Sequence, residues 1–491
     1  MSWFYLLSGL FLGWNLGAND AGNIYGTATA TKMLKFTTAA IISSVFVVLG
    51  AMISGYGTVR TIGELGDINA IAGSFTVSLS AALTVFLLMK RGLVVSVSQA
   101  IIGAIIGWNI FTASPTDMKS VAEIISSWIM NPVLSGIFSY FIYSFLTYRS
   151  KKTKMHILRI DVYMKRITIL VIAFAAYSLG ANNIAKVIGV FIASSPFRDI
   201  QITEGFTITA LHQLFFTGAV SIVIGIITYS NRTTETVGTR IYRLTPLSAL
   251  SVIFSASLVL FIFSSSGLER MLNYLGLPAP PLVPVSITQA MVGGVMGIGL
   301  AKGGRYLNFR ILGKTGLGWV ITPVAAGVIC LILLFIVKNV FDREVYKEVK
   351  FEINKAVIEN INSNGISVEN FSGARDSTFE SHQSFRLFLS SLGYVKEEQL
   401  YSIFKSAKLE YFRVDSNFAK SNMNPYVFSA EQINSVMSLH NEGFRHRWQL
   451  VDRLKSKSPE WNALPDKYEN LYRNKKLNDR IIEVCDMFLI K

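Results

Sequence analysis

Two short polar clusters of nearly the same sequence constrain the fold of this chain most, because each lies inside an apolar segment. Residues 17–26 read GANDAGNIYG, and residues 180–189 read GANNIAKVIG. Polar side chains and unpaired backbone groups are costly inside a bilayer unless they line a site or a cavity. We therefore expect both clusters to interrupt their helices and to face one shared site between two halves of a membrane domain.

The composition of the 491-residue chain supports a membrane location. Apolar residues make up 51% of it and charged residues 16%, whereas soluble domains carry about 25% charged residues. Several apolar segments have the length that a hydrocarbon core requires, and we expect some of them to be re-entrant hairpins. The predicted spans or half-spans are 2–18, 37–57, 73–89, 93–113, 121–147, 167–191, 205–228, 245–266, 283–301 and 316–338.

The basic residues of the apolar part predict its orientation in the cell membrane. Before residue 339 there are 24 Lys and Arg against 10 Asp and Glu, a balance of +14 out of the total of +15. The Lys and Arg residues fill every second loop, and the positive-inside rule places such loops in the cytoplasm. Both termini are then expected outside, with the two halves inverted. This distribution also argues against a surface that binds nucleic acid.

The last segment of the chain has a different composition. Residues 339–491 contain 22 Lys and Arg against 21 Asp and Glu, and amphipathic stretches predict a soluble, mostly helical domain. Cys330 and Cys485 alone give neither a disulfide framework nor a metal cluster. The predicted organisation is a transmembrane repeat over 1–147, a basic cytoplasmic linker over 148–166, an inverted transmembrane repeat over 167–338 and a soluble helical domain over 339–491.

Two further pairs of motifs extend the internal repeat. Residues 95–99 read VSVSQ and residues 285–289 read VSITQ, and each is followed by a glycine-rich apolar segment. Further on, WIMNP at Trp128–Pro132 corresponds to WVITP at Trp319–Pro323. The offsets of the three pairs are 163, 190 and 191 residues, so the motifs occur in the same order in both halves.

Together, GANDAGNIYGT, VSVSQ, GANNIAKVIG, PVSITQ and WVITP resemble the inorganic phosphate transporter (PiT) family of secondary carriers. The resemblance covers residues 1–338 and leaves out the last segment. It implies an all-α, polytopic, inverted-repeat transporter with broken or re-entrant helices. Such a protein imports phosphate with Na+, or alternatively with H+, and is not an enzyme. We expect no cofactor beyond the coupling ion and a multi-pass location in the lipid bilayer. A homodimer is left open.

The second motif of each half supplies candidate anion ligands. Each set is expected to begin a half-helix, whose unpaired N–H groups and positive dipole end favour an anion. Hydroxyl and amide groups can donate to phosphate oxygens, although membrane Ser and Thr also bond to helix carbonyls. The candidate substrate-binding residues are Asn19, Thr27, Ser96, Ser98, Gln99, Asn182, Ser286, Thr288 and Gln289.

Asp20 is the single acidic residue of the polar clusters and the candidate coupling carboxylate. The predicted cation ligands are Asp20, Asn23 and Asn183, with Na+ itself at Asp20 and Asn23, because hard cations take oxygen ligands. A bound cation would neutralise Asp20 and offset the charge of the anion. The alternative is that Asp20 only caps a half-helix.

The second cluster departs from the family pattern, which usually has Asp where this chain has Asn183. Because Asn183 lacks the charge of Asp, the coupling ratio stays open. A sulfate permease of the same fold also stays open as an alternative function. A transporter-like phosphate sensor is a further alternative. Lys186 stands where the family often has Asn, and it is expected either to pair with the anion or to extend to a membrane interface.

Overall fold

The structure is a computed structural model of the chain. The residues it describes are 2–30, 33–66, 68–91, 93, 95–152, 157–203, 206–231, 245–303, 309–368, 371, 376–425, 427–465 and 468–490. They form two compact units. The first contains residues 1–112, 116–266 and 280–347, and the second contains 113–115, 267–279 and 348–491.

Helices dominate the chain up to residue 339. A short hairpin of β1 (Ile200–Thr203) and β2 (Phe206–Ile208) and two 3₁₀ turns, Ser2–Tyr5 and Gly189–Phe191, accompany them. The α-helices are α1 (Leu6–Ala30), α2 (Phe36–Ser54), α3 (Tyr56–Leu65), α4 (Ile71–Lys90), α5 (Val97–Thr112), α6 (Met118–Lys152), α7 (Ile157–Ile188), α8 (Ala210–Thr228), α9 (Pro246–Ser264), α10 (Ser266–Tyr274), α11 (Ile287–Ala301) and α12 (Phe309–Asn339).

Full-length and short helices are both present. Among the described residues, α2, α4, α6, α7, α8, α9 and α12 are long and apolar enough to cross a membrane. In contrast, α5 and α11 have 16 and 15 residues, and helices of that size reach only about 24 Å, less than the hydrocarbon core. Backbone without regular secondary structure precedes both, at Val95 and Ser96 and over 277–286. The broken elements of the fold therefore lie at the second motif of each half.

The two polar clusters lie inside continuous helices, so the interruptions predicted at these positions are wrong. The first cluster is part of α1, and the second is part of α7 up to the 3₁₀ turn. Their glycines serve close packing instead. A Cβ on Gly17 would lie 1.9 Å from the carbonyl oxygen of Ile222, and one on Gly180 would lie 2.1 Å from that of Val47. Small residues of this kind let two membrane helices approach each other.

Several predicted boundaries also differ from the observed helix ends. The span predicted at 2–18 continues as α1 to Ala30. Residues 206–208 of the span predicted at 205–228 form β2, since α8 begins at Ala210. Both α6 and α7 extend into the predicted linker 148–166. Hydropathy measures the apolar part of a helix, whereas these helices continue into polar sequence that it does not mark.

The helices of the two halves interlock in a symmetric way. Helix α2 packs on α7, as α8 packs on α1, and the short helix α5 packs on α12, as α11 packs on α6. A Cβ on Gly103 would lie 2.1 Å from the carbonyl oxygen of Pro323, and one on Gly293 would lie 2.0 Å from that of Pro132. The glycine-rich half-helix of each half therefore fits against the proline motif of the other.

The second unit contains two small apolar cores. Phe351, Phe385 and Phe404 belong to one, and Trp461 and Cys485 belong to the other. Both cysteines of the chain are free and buried, and burial raises the pKa of the Cys485 thiol to about 12. Short strands, which the sequence did not predict, pair antiparallel: β3 (Phe351–Ile353) with β4 (Ser377–Phe379), and β5 (Phe412–Arg413) with β6 (Gly443–Phe444). The helices are α13 (Lys355–Ser363), α14 (His382–Ser391), α15 (Glu397–Ala407), α16 (Ser416–Asn422), α17 (Ala430–Met437), α18 (Arg447–Lys457) and α19 (Tyr468–Phe488).

Candidate transport site

The polar clusters of α1 and α7 meet the starts of the two short helices inside the first unit. Asn23 Nδ2 of α1 donates to Thr288 Oγ1 of α11 at 3.4 Å. Ser98 Oγ of α5 donates to the carbonyl oxygen of Val285 at 3.0 Å, and Asn182 Nδ2 of α7 donates to the same oxygen at 2.8 Å. Residues that are far apart in the sequence thus form one buried polar site.

A carboxylate and an ammonium group share the centre of this site. Asp20 accepts hydrogen bonds from Asn19 Nδ2 and Asn183 Nδ2, both at 3.0 Å. The other end of the Asn183 amide, Oδ1, accepts from Lys186 Nζ at 2.6 Å. The exposed fraction is 4% for Asp20 and 1% for Lys186. Lys186 therefore does not extend to a membrane interface, and a single amide connects the two charges.

The backbone of Val285 is a member of the site that residue-type reasoning missed. Its carbonyl oxygen accepts from Lys186 Nζ at 2.7 Å, in addition to Ser98 and Asn182. Its N–H donates to Asn182 Oδ1 at 3.0 Å. The residue type does not indicate whether its backbone carbonyl will accept hydrogen bonds in a site. The available signal was the position of Val285 directly after Pro284 and before a predicted half-helix.

Serine side chains set the starting points of both short helices. Ser96 Oγ accepts from the backbone N–H of Gln99, and Ser286 Oγ accepts from that of Gln289, both at 3.4 Å. These contacts have the geometry of N-caps, which satisfy one of the free N–H groups at a helix start. The caps hold two helix N-termini, with their positive dipole ends, beside the charged network.

Three buried amide oxygens of the site lack a partner among the described residues. They are Gln99 Oε1, Gln289 Oε1 and Asn131 Oδ1. Asn131, a further residue that sequence reasoning missed, donates through Nδ2 to the carbonyl oxygen of Ser286 at 2.7 Å. Buried polar atoms normally have a partner. The two glutamine oxygens stand at equivalent positions of the repeat.

The two halves of the site differ in exposure. Asn19 is half-buried, whereas its counterpart Asn182 is completely buried and makes hydrogen bonds to both Asn183 and Val285. Hydrogen bonds join most of the predicted site residues to one another or to the carbonyl of Val285, namely Asn19, Asp20, Asn23, Ser98, Asn182, Asn183 and Thr288. Ser96, Gln99, Ser286 and Gln289 lie at the starts of the two short helices, and Thr27 remains. That residue lies in α1, but its side chain is outside the described part of the structure.

Comparison with known proteins agrees with the fold and with the motifs. Residues 16–330 match the sequence model of the phosphate transporter family. A protein of Methanocaldococcus jannaschii named "putative phosphate permease" is 27% identical over 329 residues, which are 67% of this chain and 95% of the relative. A protein of Haemophilus influenzae with the same name is 23% identical and covers 69% of this chain and 97% of its own length.

A solved structure named "The sodium-dependent phosphate transporter" has a similar fold. It aligns with a TM-score of 0.54 at 19% sequence identity and covers 68% of this chain and 99% of its own. The likeness confirms the prediction of an all-α, multi-pass membrane fold. Because the family match covers more than half of the chain and includes all the repeated motifs, the chain belongs to the phosphate transporter family.

Proposed function

We propose that the protein is a secondary active transporter that imports inorganic phosphate together with Na+. The observation that carries this proposal is the meeting of two helix N-termini with a buried carboxylate. The N-termini of α5 and α11 supply donors and positive potential for an anion. Asp20 and the amide oxygen of Asn23 supply oxygen ligands for a cation. The amide oxygen of Asn183, the third ligand that the sequence predicted, accepts from Lys186 Nζ instead. Membership of the phosphate transporter family and the likeness to a sodium-dependent phosphate transporter support the same substrate and ion.

Coupling follows from the charges of the site. A fixed carboxylate beside an anion site is unfavourable for the anion unless a cation neutralises the carboxylate. Na+ at Asp20 removes that repulsion, and phosphate in turn offsets the charge of Na+. Neither ion then binds well without the other, which is the condition for symport.

The unpartnered glutamine oxygens favour phosphate over sulfate as the anion. With the amide orientations of the structure, Gln99 Oε1 and Gln289 Oε1 are acceptors. Monovalent and divalent phosphate carry O–H donors at neutral pH, whereas sulfate carries none. A site that provides buried acceptors discriminates strongly against a ligand that lacks the matching donor.

Uptake into proteoliposomes tests this function. The purified chain should accumulate radiolabelled phosphate faster with an inward Na+ gradient than with an equal K+ gradient. Arsenate, which keeps an O–H donor, should compete, and sulfate should not. Competition by sulfate without competition by arsenate would replace phosphate by sulfate. Stimulation by external acid in the absence of Na+ would replace Na+ by H+. Phosphate binding without any flux would instead indicate a sensor.

We also propose that the second unit lies on the outer, extracytoplasmic side of the cell membrane. Within this unit, Lys475 Nζ forms an ion pair with Glu269 at 2.7 Å, and Arg386 donates to the carbonyl oxygen of Ala113 at 3.4 Å. Glu269 and Ala113 belong to the basic-poor loops, which the positive-inside rule assigns to the outer side. Protease treatment of intact cells should therefore release fragments of residues 348–491. Protection in cells and release only from inverted vesicles would reverse the orientation.

A further inference from the structure

Lys186 is an unusual residue for the centre of a membrane protein. It lies on α7, one helical turn after Asn183, and its side chain is 1% exposed. An ammonium group buried in this way is unfavourable unless it is paired and hydrogen-bonded. Its presence therefore calls for specific partners.

The partners of Lys186 are the kind of oxygen atoms that bind small cations. Nζ donates to Asn183 Oδ1 at 2.6 Å and to the carbonyl oxygen of Val285 at 2.7 Å. Both are neutral oxygens, and the negative charge of Asp20 lies beyond the same Asn183 amide. Carbonyl and amide oxygens next to a carboxylate are the usual ligands of hard monovalent cations in membrane proteins. The ammonium group thus occupies a cation-binding environment.

The internal repeat identifies which residues of the first half correspond to the environment of Lys186. With the offset of 163 residues, Asp20 pairs with Asn183 and Asn23 pairs with Lys186. In the first half a carboxylate is followed one turn later by an amide, and the proposed function places Na+ there. In the second half an amide is followed one turn later by an ammonium group. In the first half the positive charge would be a Na+ ion from solution, whereas in the second half it belongs to the Lys186 side chain.

We propose that the Lys186 ammonium group is a tethered cation that fills the second-half counterpart of the Na+ position. This inference rests on the proposed function and specifies its ion requirement. Asp20 and Lys186 cancel each other's charge, so monovalent phosphate with about one Na+ leaves the loaded site neutral. Without the ammonium group, the same neutrality requires about two Na+ per phosphate.

Substitution of Lys186 by residues with and without an oxygen ligand tests the proposal. Lys186→Asn reproduces the residue of the first half, Asn23, and Lys186→Gln offers the same amide with a volume closer to lysine. Parallel uptake of ²²Na+ and [³²P]phosphate into proteoliposomes gives the flux ratio. We expect about one Na+ per phosphate in the unaltered chain and about two in either amide variant. Lys186→Met, which supplies neither charge nor oxygen, should lose Na+-driven uptake, and Lys186→Arg should keep the original ratio at whatever rate it transports.

An unchanged flux ratio in an amide variant that still transports would overturn the proposal. A weaker apparent affinity for phosphate with no change in the ratio would show instead that Lys186 binds the anion. If the unaltered chain shows no Na+-stimulated uptake, the proposed function fails, but the tethered cation is still tested by binding. Thermal unfolding of the purified protein should then depend more steeply on Na+ concentration in the amide variants than in the unaltered chain, with K+ at equal ionic strength as control. An equal dependence would refute the inference.

Discussion

The two halves of the membrane unit are alike in packing and unlike in charge. Each short helix begins at a serine cap and fits, through a glycine, against the proline motif of the opposite half. The polar clusters follow the same pattern up to Asn19 and Asn182 and then differ. Asp20 carries the negative charge of the first half, and Lys186 carries the positive charge of the second.

This contrast distinguishes the residues that determine helix packing from those that determine ion binding. Close helix packing depends on small side chains at fixed positions, so both halves keep the same glycines. The ions of the site depend on charge and ligand type, and the halves can change these without changing the backbone. Substitutions at packing positions should therefore have equal effects in the two halves, and substitutions at charged positions should have unequal effects.

The largest effect is expected for Asp20→Asn. The substitution leaves the Lys186 charge buried without its counter-charge and removes the Na+ ligand. A loss of about 3 kcal/mol in the binding of Na+ corresponds to roughly 100-fold in affinity, so Na+-stimulated phosphate uptake should fall by about that factor or more. Asn15→Leu is the matched control, because Asn15 lies on the same helix and, among the described residues, its side chain bonds only to the carbonyl oxygen of Phe11. Undiminished Na+ stimulation in Asp20→Asn would rule out Asp20 as the coupling carboxylate.

A smaller and unequal effect is expected for the paired asparagines. Asn182→Ala leaves the backbone N–H of Val285 and Oδ1 of Asn183 with one partner fewer, whereas Asn19→Ala removes one hydrogen bond to Asp20. The free energy of unfolding in detergent should fall by about 2–4 kcal/mol for Asn182→Ala and by about 1 kcal/mol for Asn19→Ala. Equal losses would mean that the second half of the site is not held more tightly than the first.

Equal effects are expected for the packing glycines. A methyl group at Gly103 or Gly293 would collide with a carbonyl oxygen of the opposite half, at 2.1 and 2.0 Å respectively. Overpacking of this kind costs about 1–3 kcal/mol, so both Ala variants should unfold at similarly lowered temperatures. Gly316→Ala is the control, because nothing lies within 4 Å of a Cβ at that position of α12. A loss in only one of the two variants would contradict the packing symmetry.

The smallest effect is expected for the helix caps. Ser96→Ala and Ser286→Ala each remove one long hydrogen bond to a glutamine N–H. Loss of a cap costs about 1 kcal/mol, and the two variants should be destabilised equally in thermal unfolding. A much larger loss in either one would indicate that its hydroxyl has a further structural role.

The sequence predicted the membrane fold and the composition of the site because the signals were local and repeated. Apolar length identified most of the spanning helices, and the paired S-x-S/T-Q motifs marked the starts of the short helices. The polar clusters were misinterpreted as breaks, since a glycine has the same letter whether it ends a helix or allows close packing. Gly17 and Gly180 require the partner helix to be known before the two roles can be told apart.

The other features that the sequence did not predict depend on tertiary contacts. The carbonyl of Val285 is free to join the site because it lies in non-helical backbone before α11, which a pattern of side chains does not indicate. The two environments considered for Lys186 depended on its depth, which a single sequence does not give. Residues 339–491 were predicted as mostly helical, but their two-residue and three-residue strands are too short to show an alternating pattern.

Anomalous diffraction from Tl+ bound in place of Na+, in crystals grown with phosphate, tests the unequal site most directly. We predict a Tl+ position coordinated by Asp20 and none coordinated by Asn183 Oδ1 where Lys186 Nζ is bound. A Tl+ ion at Asn183 and Val285 with the Lys186 side chain displaced would contradict the tethered cation.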